Sequence, residues 1–349
     1  MITRYPKSVK LSSHKNEILN FFDYYFSHAR TALKYGLDIY KLNYKSILVP
    51  EYICYEYTDI LKQLNINIVF YKLNDDLSPD YKYILNLLNK DIKAITIVHY
   101  FGIPQDIKKI KEFCSLHKLI LIEDNAHGFF GKYKNQYLGT FGDIGIVSPR
   151  KFLNIMNGGL LFIKNKKKIS DESLTFQKRT FKWKIYNFIP IYIFNIINLL
   201  GNRKKLSKLK LEDRTFNKSI NDFIIDNNSK KIIEYSNINL HIKKRIKIYY
   251  IWNDFIIKNN FKPVFTKITD LSNPLCFPFY TNNLKERNKI IKIFYKSDIE
   301  SYTWPALPEE IYKLKKNGYL IMSKIICLPI NNDININKLI FKLKYLNLI

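Results

Sequence analysis

A chain of 349 residues that is 47% hydrophobic and 15% aromatic can bury a large core and divide into two unequal domains, which excludes a wholly disordered protein. The formal net charge is +27, from 57 Lys and Arg against 30 Asp and Glu. Lysine is spread along the chain with Ile, Asn, Tyr and Phe and forms no single basic stripe, so the charge reads as background composition with a general affinity for anions. No helix-turn-helix pattern, zinc spacing or basic-aromatic strand motif accompanies it, and no specific nucleic-acid partner is expected. Cys54, Cys114, Cys276 and Cys327 stand far apart, outside any Cys-x-x-Cys or Cys/His cluster. Neither a metal site nor a disulfide framework is indicated, and a reducing cytoplasm fits best. Residues 1–7 lack the apolar core of a signal peptide, which also points to a protein that stays inside.

The first half alternates short apolar runs with helical stretches. Residues 46–49, 67–71 and 94–100 read as buried strands, with a helix over about 54–65 between the first two. In residues 105–117, Ile107, Ile110, Phe113 and Leu116 recur at near-helical spacing. Residues 119–122, 144–147 and 160–163 add three further strands. Apolar strands joined by helical connections predict an α/β fold, a mostly parallel sheet flanked by helices on both faces. Ligands of such sheets bind at the carboxyl ends of the strands, where His99, Asp124 and Ser148 fall.

After residue 163 the chain becomes lysine-rich and helical as far as about 235. Within this section residues 185–200 are strongly apolar, but they are too short and too interrupted by Asn187, Pro190, Asn195 and Asn198 to span a bilayer. The favoured reading is a packed helical insertion or a subunit contact, ahead of contact with a membrane surface. A helix over 238–258, a strand over 275–280, a helix over about 283–296 and an apolar run over 324–330 then predict a smaller α/β domain. The expected division is a large domain over 1–235, with 164–235 as its insertion, and a small C-terminal domain over 236–349.

Two residues carry the chemistry. Asp124 ends the run Leu121-Ile-Glu-Asp124, and Lys151 lies beyond the later strand in Ser148-Pro-Arg-Lys151. A buried acid and a lysine so placed are the protein groups that pyridoxal 5'-phosphate requires: the carboxylate keeps the pyridine nitrogen protonated, and the amine holds the aldehyde as a Schiff base.

The order Ile122-Glu-Asp-Asn-Ala-His127, Gly142-Asp-Ile-Gly145, Ser148 with Lys151, and Asn157-Gly-Gly159 resembles the DegT/StrS-type sugar aminotransferases, which are fold type I pyridoxal phosphate enzymes. Pro50-Glu-Tyr-Ile-Cys54, His99-Tyr-Phe-Gly102, Ser27-His-Ala-Arg-Thr-Ala-Leu33 and Cys327-Leu-Pro-Ile330 fall in the family's order. The short Arg150-Lys151 form resembles a divergent branch found near surface-polysaccharide genes.

This resemblance implies that Lys151 is the cofactor lysine and general acid/base. Asp124 would be the partner of the pyridine nitrogen, and His127 would lie against the ring or its phenolic oxygen. Ser148, with Ala29, Arg30 and Thr31 at a helix N-terminus, would hold the phosphate. Tyr302, Trp304 and His99 are further pocket candidates. The chain departs from the family pattern at Asn157, where an acid is common, and at Cys54, where an aromatic often stacks on the ring unless Tyr52 or Tyr55 replaces it.

The implied activity is transfer of an amino group, from an amino-acid donor such as glutamate, to a keto group of a nucleotide-linked sugar for surface polysaccharide such as lipopolysaccharide. The alternatives are a pyridoxal phosphate enzyme acting on a small amino acid or a phosphorylated amino alcohol, and a non-catalytic protein that keeps the fold. Because fold type I enzymes generally build each site from two subunits, a homodimer is implied.

Overall fold

In the computed structural model, residues 2–3, 11–166 and 224–348 are described. The chain divides into two compact units, Met1–Ser170 with Ile225–Ile349, and Asp171–Ile224. The second unit, and with it the apolar 185–200 stretch, falls outside the described residues apart from Ile224.

The first unit is built on a seven-stranded sheet. Its strands are β1 (Tyr24–Phe26), β2 (Ser46–Pro50), β3 (Asn67–Tyr71), β4 (Ile92–Val98), β5 (Ile120–Asn125), β8 (Ile144–Val147) and β9 (Gly159–Ile163). They lie in the order β1-β9-β8-β5-β4-β2-β3. A small hairpin, β6 (Lys132–Tyr133) and β7 (Gln136–Tyr137), sits between β5 and β8 in sequence. Pairings from β3 through β2, β4 and β5 to β8 are parallel, and β9 runs antiparallel to both β8 and β1.

The sequence identified the six longer strands to within a few residues. It missed β1, which has three residues, too few to display a period. The run 94–100 sits two residues earlier than expected, because a 3-10 turn over Tyr100–Gly102 follows the strand.

Four helices connect the first strands: α1 (Ala29–Ile39), α2 (Tyr55–Gln63), α3 (Tyr81–Leu85) and α4 (Ile107–His117). Local chemistry sets their ends. Asp80 and Asp106 cap α3 and α4 by accepting the Tyr83 and Lys109 N–H groups at 3.0 and 3.1 Å. Lys118, in the left-handed conformation, ends α4.

Beyond residue 236 a second, antiparallel sheet runs β10 (Lys262–Pro263), β11 (Cys276–Tyr280), β12 (Ile325–Pro329). The helices Ile238–Lys258, Leu284–Lys296 and Ile336–Lys344 contribute Ile248, Trp252, Ile290, Phe294 and Leu339 to a core with Phe277, Phe279, Ile326 and Leu328 from the sheet. The Trp252 indole N–H donates to the Pro329 carbonyl at 3.0 Å, so the largest side chain of this core is also satisfied. Among the described residues no helix is long and apolar enough to cross a membrane.

The parallel block places the ends of β4 and β5 and the start of the turn after β8 at one edge of the large sheet. Asp124, His99 and Ser148 all reach that edge.

Candidate active site

Asp124 is the fifth residue of β5, and its carbonyl accepts the His99 N–H at 3.1 Å. Its side chain is buried, and Oδ1 accepts the Ala126 N–H at 2.9 Å. Burial pushes its carboxyl pKa above the usual range, against the pull of the Lys151 amine, the Ala126 N–H and His99.

Lys151 closes the 3-10 turn Pro149–Lys151 that follows β8, with its N–H donating to the Ser148 carbonyl at 3.2 Å. Burial drives the amine's pKa below that of an ordinary lysine and Arg150 adds to this, while Cys54, Asp124 and Glu56 oppose it. No ion pair or hydrogen bond joins this amine to another described residue.

His127 is 2% exposed. Its ring stacks on Phe101 at 5.8 Å and meets Trp304 edge-on at 4.3 Å. Its Nδ1 accepts the Phe101 N–H at 3.3 Å. Burial first, and then Lys151, holds its pKa well below the usual value. The ring is therefore neutral, and its proton resides on Nε2. Gly102 allows this packing: at φ +87°, a Cβ there would stand 2.5 Å from the His127 carbonyl oxygen.

The expected phosphate corner is assembled by a close backbone approach. The Gly158 N–H donates to the Ser27 carbonyl at 2.8 Å, and His28 bridges to Gly158. A Cβ on Gly159 would lie 2.1 Å from the His28 carbonyl carbon, so only glycine lets β9 pass this close to the start of α1. The pairing of Val147 with Leu160 places buried Ser148 opposite Gly159. Ser148 and the N-terminus of α1 therefore share one corner. The Thr31 N–H donates to the His28 carbonyl at 3.1 Å, and the Ala29 N–H stands at the mouth of the helix, where a backbone donor can meet an anion.

The other candidates separate into those at the site and those with structural work. Trp304 stands against His127. His99, expected to line the pocket, instead has both ring nitrogens engaged: Nε2 donates to Glu123 Oε1 at 2.8 Å, and Nδ1 accepts the Gln105 N–H at 3.1 Å. Tyr302 pairs with Cys327 through two backbone hydrogen bonds. Asn157 accepts the Asp226 N–H at 3.2 Å and so ties the site loop to the start of the helix Asn227–Tyr235.

Of the three residues considered for the ring-stacking position, Tyr52 is committed elsewhere. Its ring stacks on Tyr100 at 5.6 Å, and its hydroxyl donates to the Trp304 carbonyl. Cys54 is the one within electrostatic reach of both Lys151 and Asp124, its thiol pushed up to about 12 by burial first. The sequence named Cys54 only as a departure from the family. It said nothing of the role of Arg245, which is 1% exposed, donates to the Pro274 carbonyl at 2.8 Å and lies 4.9 Å over the ring of Phe152, next to Lys151. An arginine on a lysine-rich amphipathic helix gives no sign of burial. Among the described residues no cluster of His, Cys, Asp or Glu could hold a metal ion.

The arrangement suits one cofactor chemistry. A half-buried amine beside a buried carboxyl, with a helix mouth and a serine at a glycine-enforced approach, is the donor set that pyridoxal 5'-phosphate needs.

Comparison with known proteins agrees. The DegT/DnrJ/EryC1/StrS aminotransferase family matches residues 26–194. The GDP-perosamine synthase of Escherichia coli O157:H7 is 40% identical over 87 residues, 24% of this chain and 24% of that protein. This chain's match thus spans about a quarter of that relative's length. Among solved structures, Helicobacter pylori PseC, an aminotransferase of pseudoaminic acid biosynthesis, superposes with a TM-score of 0.68 at 17% identity, covering 97% of this chain and 91% of that one. NtdA from Bacillus subtilis, solved with bound cofactor PMP, gives 0.66 at 15% identity, with coverage of 97% and 78%. The fold is that of the fold type I pyridoxal phosphate transferases.

Proposed function

We propose, on the premise that this chain belongs to the DegT/DnrJ/EryC1/StrS aminotransferase family, that it is a pyridoxal phosphate-dependent aminotransferase acting on a keto group of a nucleotide-linked sugar, with an amino acid such as glutamate as donor. The observation that carries the reading is the half-buried Lys151 amine within electrostatic reach of the buried Asp124 carboxyl. Support for the substrate class comes from the relative named for a GDP-linked sugar, and lipopolysaccharide assembly is in keeping with a relative named lipopolysaccharide biosynthesis protein RfbH. The proposal includes a homodimer working in the cytoplasm, with residues 1–235 as the cofactor-binding domain and 236–349 as the smaller one.

When bound, pyridoxal phosphate supplies an aldehyde that accepts amino groups and a ring that withdraws electrons from the substrate's α-carbon. The Asp124 carboxylate would hold the proton of the ring nitrogen, and a cationic partner there favours its ionised form despite burial. Lys151, whose amine gives up its proton more readily than a surface lysine, would anchor the aldehyde and then serve as the base and acid that moves a proton between the substrate and cofactor carbons. His127 presents a fixed Nε2–H to an oxygen acceptor. Ser148 and the Ala29 and Arg30 N–H groups would bind the phosphate. Burial of Asp124, His127 and Ser148 excludes water and strengthens each of these contacts.

The test is the absorption spectrum of the protein with pyridoxal phosphate, beside a Lys151→Ala variant. A borohydride-reducible visible band in the wild type and none in the variant is expected, with bleaching by glutamate. A band that bleaches only with small amino acids would shift the reading to that substrate class. Absence of the band would leave a retained fold used for binding.

A further inference from the structure

We propose that the cleft between α2 and residues 307–312 receives the nucleoside end of the acceptor substrate. This deepens the proposed aminotransferase reading and rests on it. The cleft has a volume of about 370 Å³ and is lined by Tyr55, Asp59 and Lys62 on one wall and Leu307, Glu309 and Tyr312 on the other.

Its position follows from chain continuity. Cys54, which feels the charges of Lys151 and Asp124, is the cap residue of α2, and Tyr55 is the next residue. Trp304, which covers His127, lies three positions before Leu307. The two segments are joined where the Tyr55 N–H donates to the Ala306 carbonyl at 2.9 Å. The same two stretches of chain that border the reacting groups thus continue outward as the walls of the cleft. With a helical rise of about 1.5 Å per residue, Asp59 stands roughly 7 Å beyond Cys54 along α2. A substrate with its keto carbon at Lys151 and a long second half has this track along which to lie.

The lining matches a nucleoside better than a bare phosphate or an apolar group. Tyr55 and Tyr312 offer ring faces on which a base can stack. Asp59 offers acceptors for ribose hydroxyls or base N–H groups, and Glu309, exposed and paired with Lys313, stands at the rim. The Asp59 carboxylate accepts no hydrogen bond from any described residue. Its pKa is held above the usual range, chiefly by partial burial and against the pull of Lys62, with Glu56 and Glu310 adding to the rise. Lys62 is committed to Glu310 at 2.6 Å and forms the rim.

The experiment titrates GDP, UDP and TDP calorimetrically into the full-length protein loaded with pyridoxal phosphate, and repeats this with Tyr312→Ala and Asp59→Asn. At least one diphosphate is expected to bind the wild type, with each variant weakening it fivefold or more while melting temperature and glutamate-driven bleaching stay as in the wild type. No binding to the wild type, or equal binding by wild type and variants, overturns the proposal. The spectral band and its bleaching report on the aminotransferase reading independently. Nucleotide binding lost in the variants with the band intact supports the subsite. A missing band would sink the parent reading alone, because the titration can be repeated without cofactor.

Discussion

Glu123 and Asp124 are consecutive residues of β5, both buried and both acidic, and they are treated in opposite ways. Successive side chains of a strand face opposite sides of the sheet. The Glu123 carboxylate accepts four hydrogen bonds: from His99 Nε2 at 2.8 Å, the Gly139 N–H at 3.0 Å, and the Phe141 and Gly142 N–H groups at 2.6 Å each. The Asp124 carboxylate accepts one, from Ala126. Every lone-pair direction of Glu123 is thus answered from within the chain. It pins the turn between β5 and β8 to the end of β4, the frame on which the Lys151 turn is built. Asp124 instead lies within electrostatic reach of the half-buried Lys151 amine, its charged neighbour, and this pair marks the side of β5 that faces the candidate site.

The comparison makes its largest claim about activity and stability moving apart. Lys151→Ala should lower transamination by at least about a thousandfold, as expected when a general acid/base that also anchors the cofactor is removed. The cofactor-free variant should nevertheless melt no lower than the wild type. Burial depresses the folded pKa of Lys151, so below its usual pKa the unfolded chain binds more protons at this residue than the folded one does, and the amine subtracts stability at neutral pH. A Lys151→Met variant that melts well below the wild type without cofactor would show that this lysine is structural.

Glu123→Ala tests the other side. It would strand the His99 ring and three backbone N–H groups in a dry interior, at about 1–3 kcal/mol for each unsatisfied group before relaxation. Denaturant unfolding should register a loss of at least about 3 kcal/mol, comparable to breaking a buried ion pair. A loss below about 1 kcal/mol would mean that the turn holds without it, and the contrast with Asp124 would fail.

Much of this was legible in the sequence, and the gaps have physical causes. Strands β2, β8 and β9 were readable because they are almost wholly buried and nearly all apolar, whereas β3, half-buried at the edge of the sheet, and β5 were read from shorter apolar runs. Asp124, Lys151 and His127 were singled out by motif order, and the structure places Lys151 within electrostatic reach of each of the other two. His99 was misassigned. A polar residue at a strand's carboxyl end looks the same in sequence whether it faces a ligand or an adjacent glutamate, and only the pairing of Val98 with Asp124 decides which. Cys54 was noted at the place of a ring-stacking aromatic, but a thiol's charged neighbours, here Lys151 and Asp124, leave no trace in the local sequence. Trp304 was named as a pocket candidate and stands against His127, whereas Arg245 reaches Phe152 from far along the chain, and no local period announces such an approach.

A smaller effect probes how the two sides are held at one edge. Gly159→Ala would drive a methyl group into the His28–Ala29 peptide, so the start of α1 and β9 must separate. Overpacking of this kind costs about 1–3 kcal/mol. The displaced groups are the proposed phosphate corner, and cofactor affinity should fall by more than stability does. If titration with pyridoxal phosphate shows unchanged affinity, the phosphate is bound elsewhere.

The finest test concerns His127, which shares the Asp124 side of the comparison. Its pKa is well below 6.5 in the folded protein because of burial and Lys151. The stability associated with the neutral ring is fully present above about pH 6.5 and is lost as the pH falls from there toward the folded value, because the unfolded chain takes up the proton first. Asp124 acts with the opposite sign, since its raised pKa lets the folded state bind a proton before the unfolded one. Wild type and His127→Gln both carry Asp124, so the difference between their melting temperatures, followed from pH 8 to pH 5, isolates the histidine. The wild type should lose ground to the variant below about pH 6.5, by a few degrees at most, since a difference of 1 kcal/mol moves the melting temperature of a chain this large by only about 2–4 °C. A difference that stays flat across that range would mean that His127 can take a proton where it sits. The ring could then not be the fixed neutral donor that the Phe101 N–H and Trp304 hold in place.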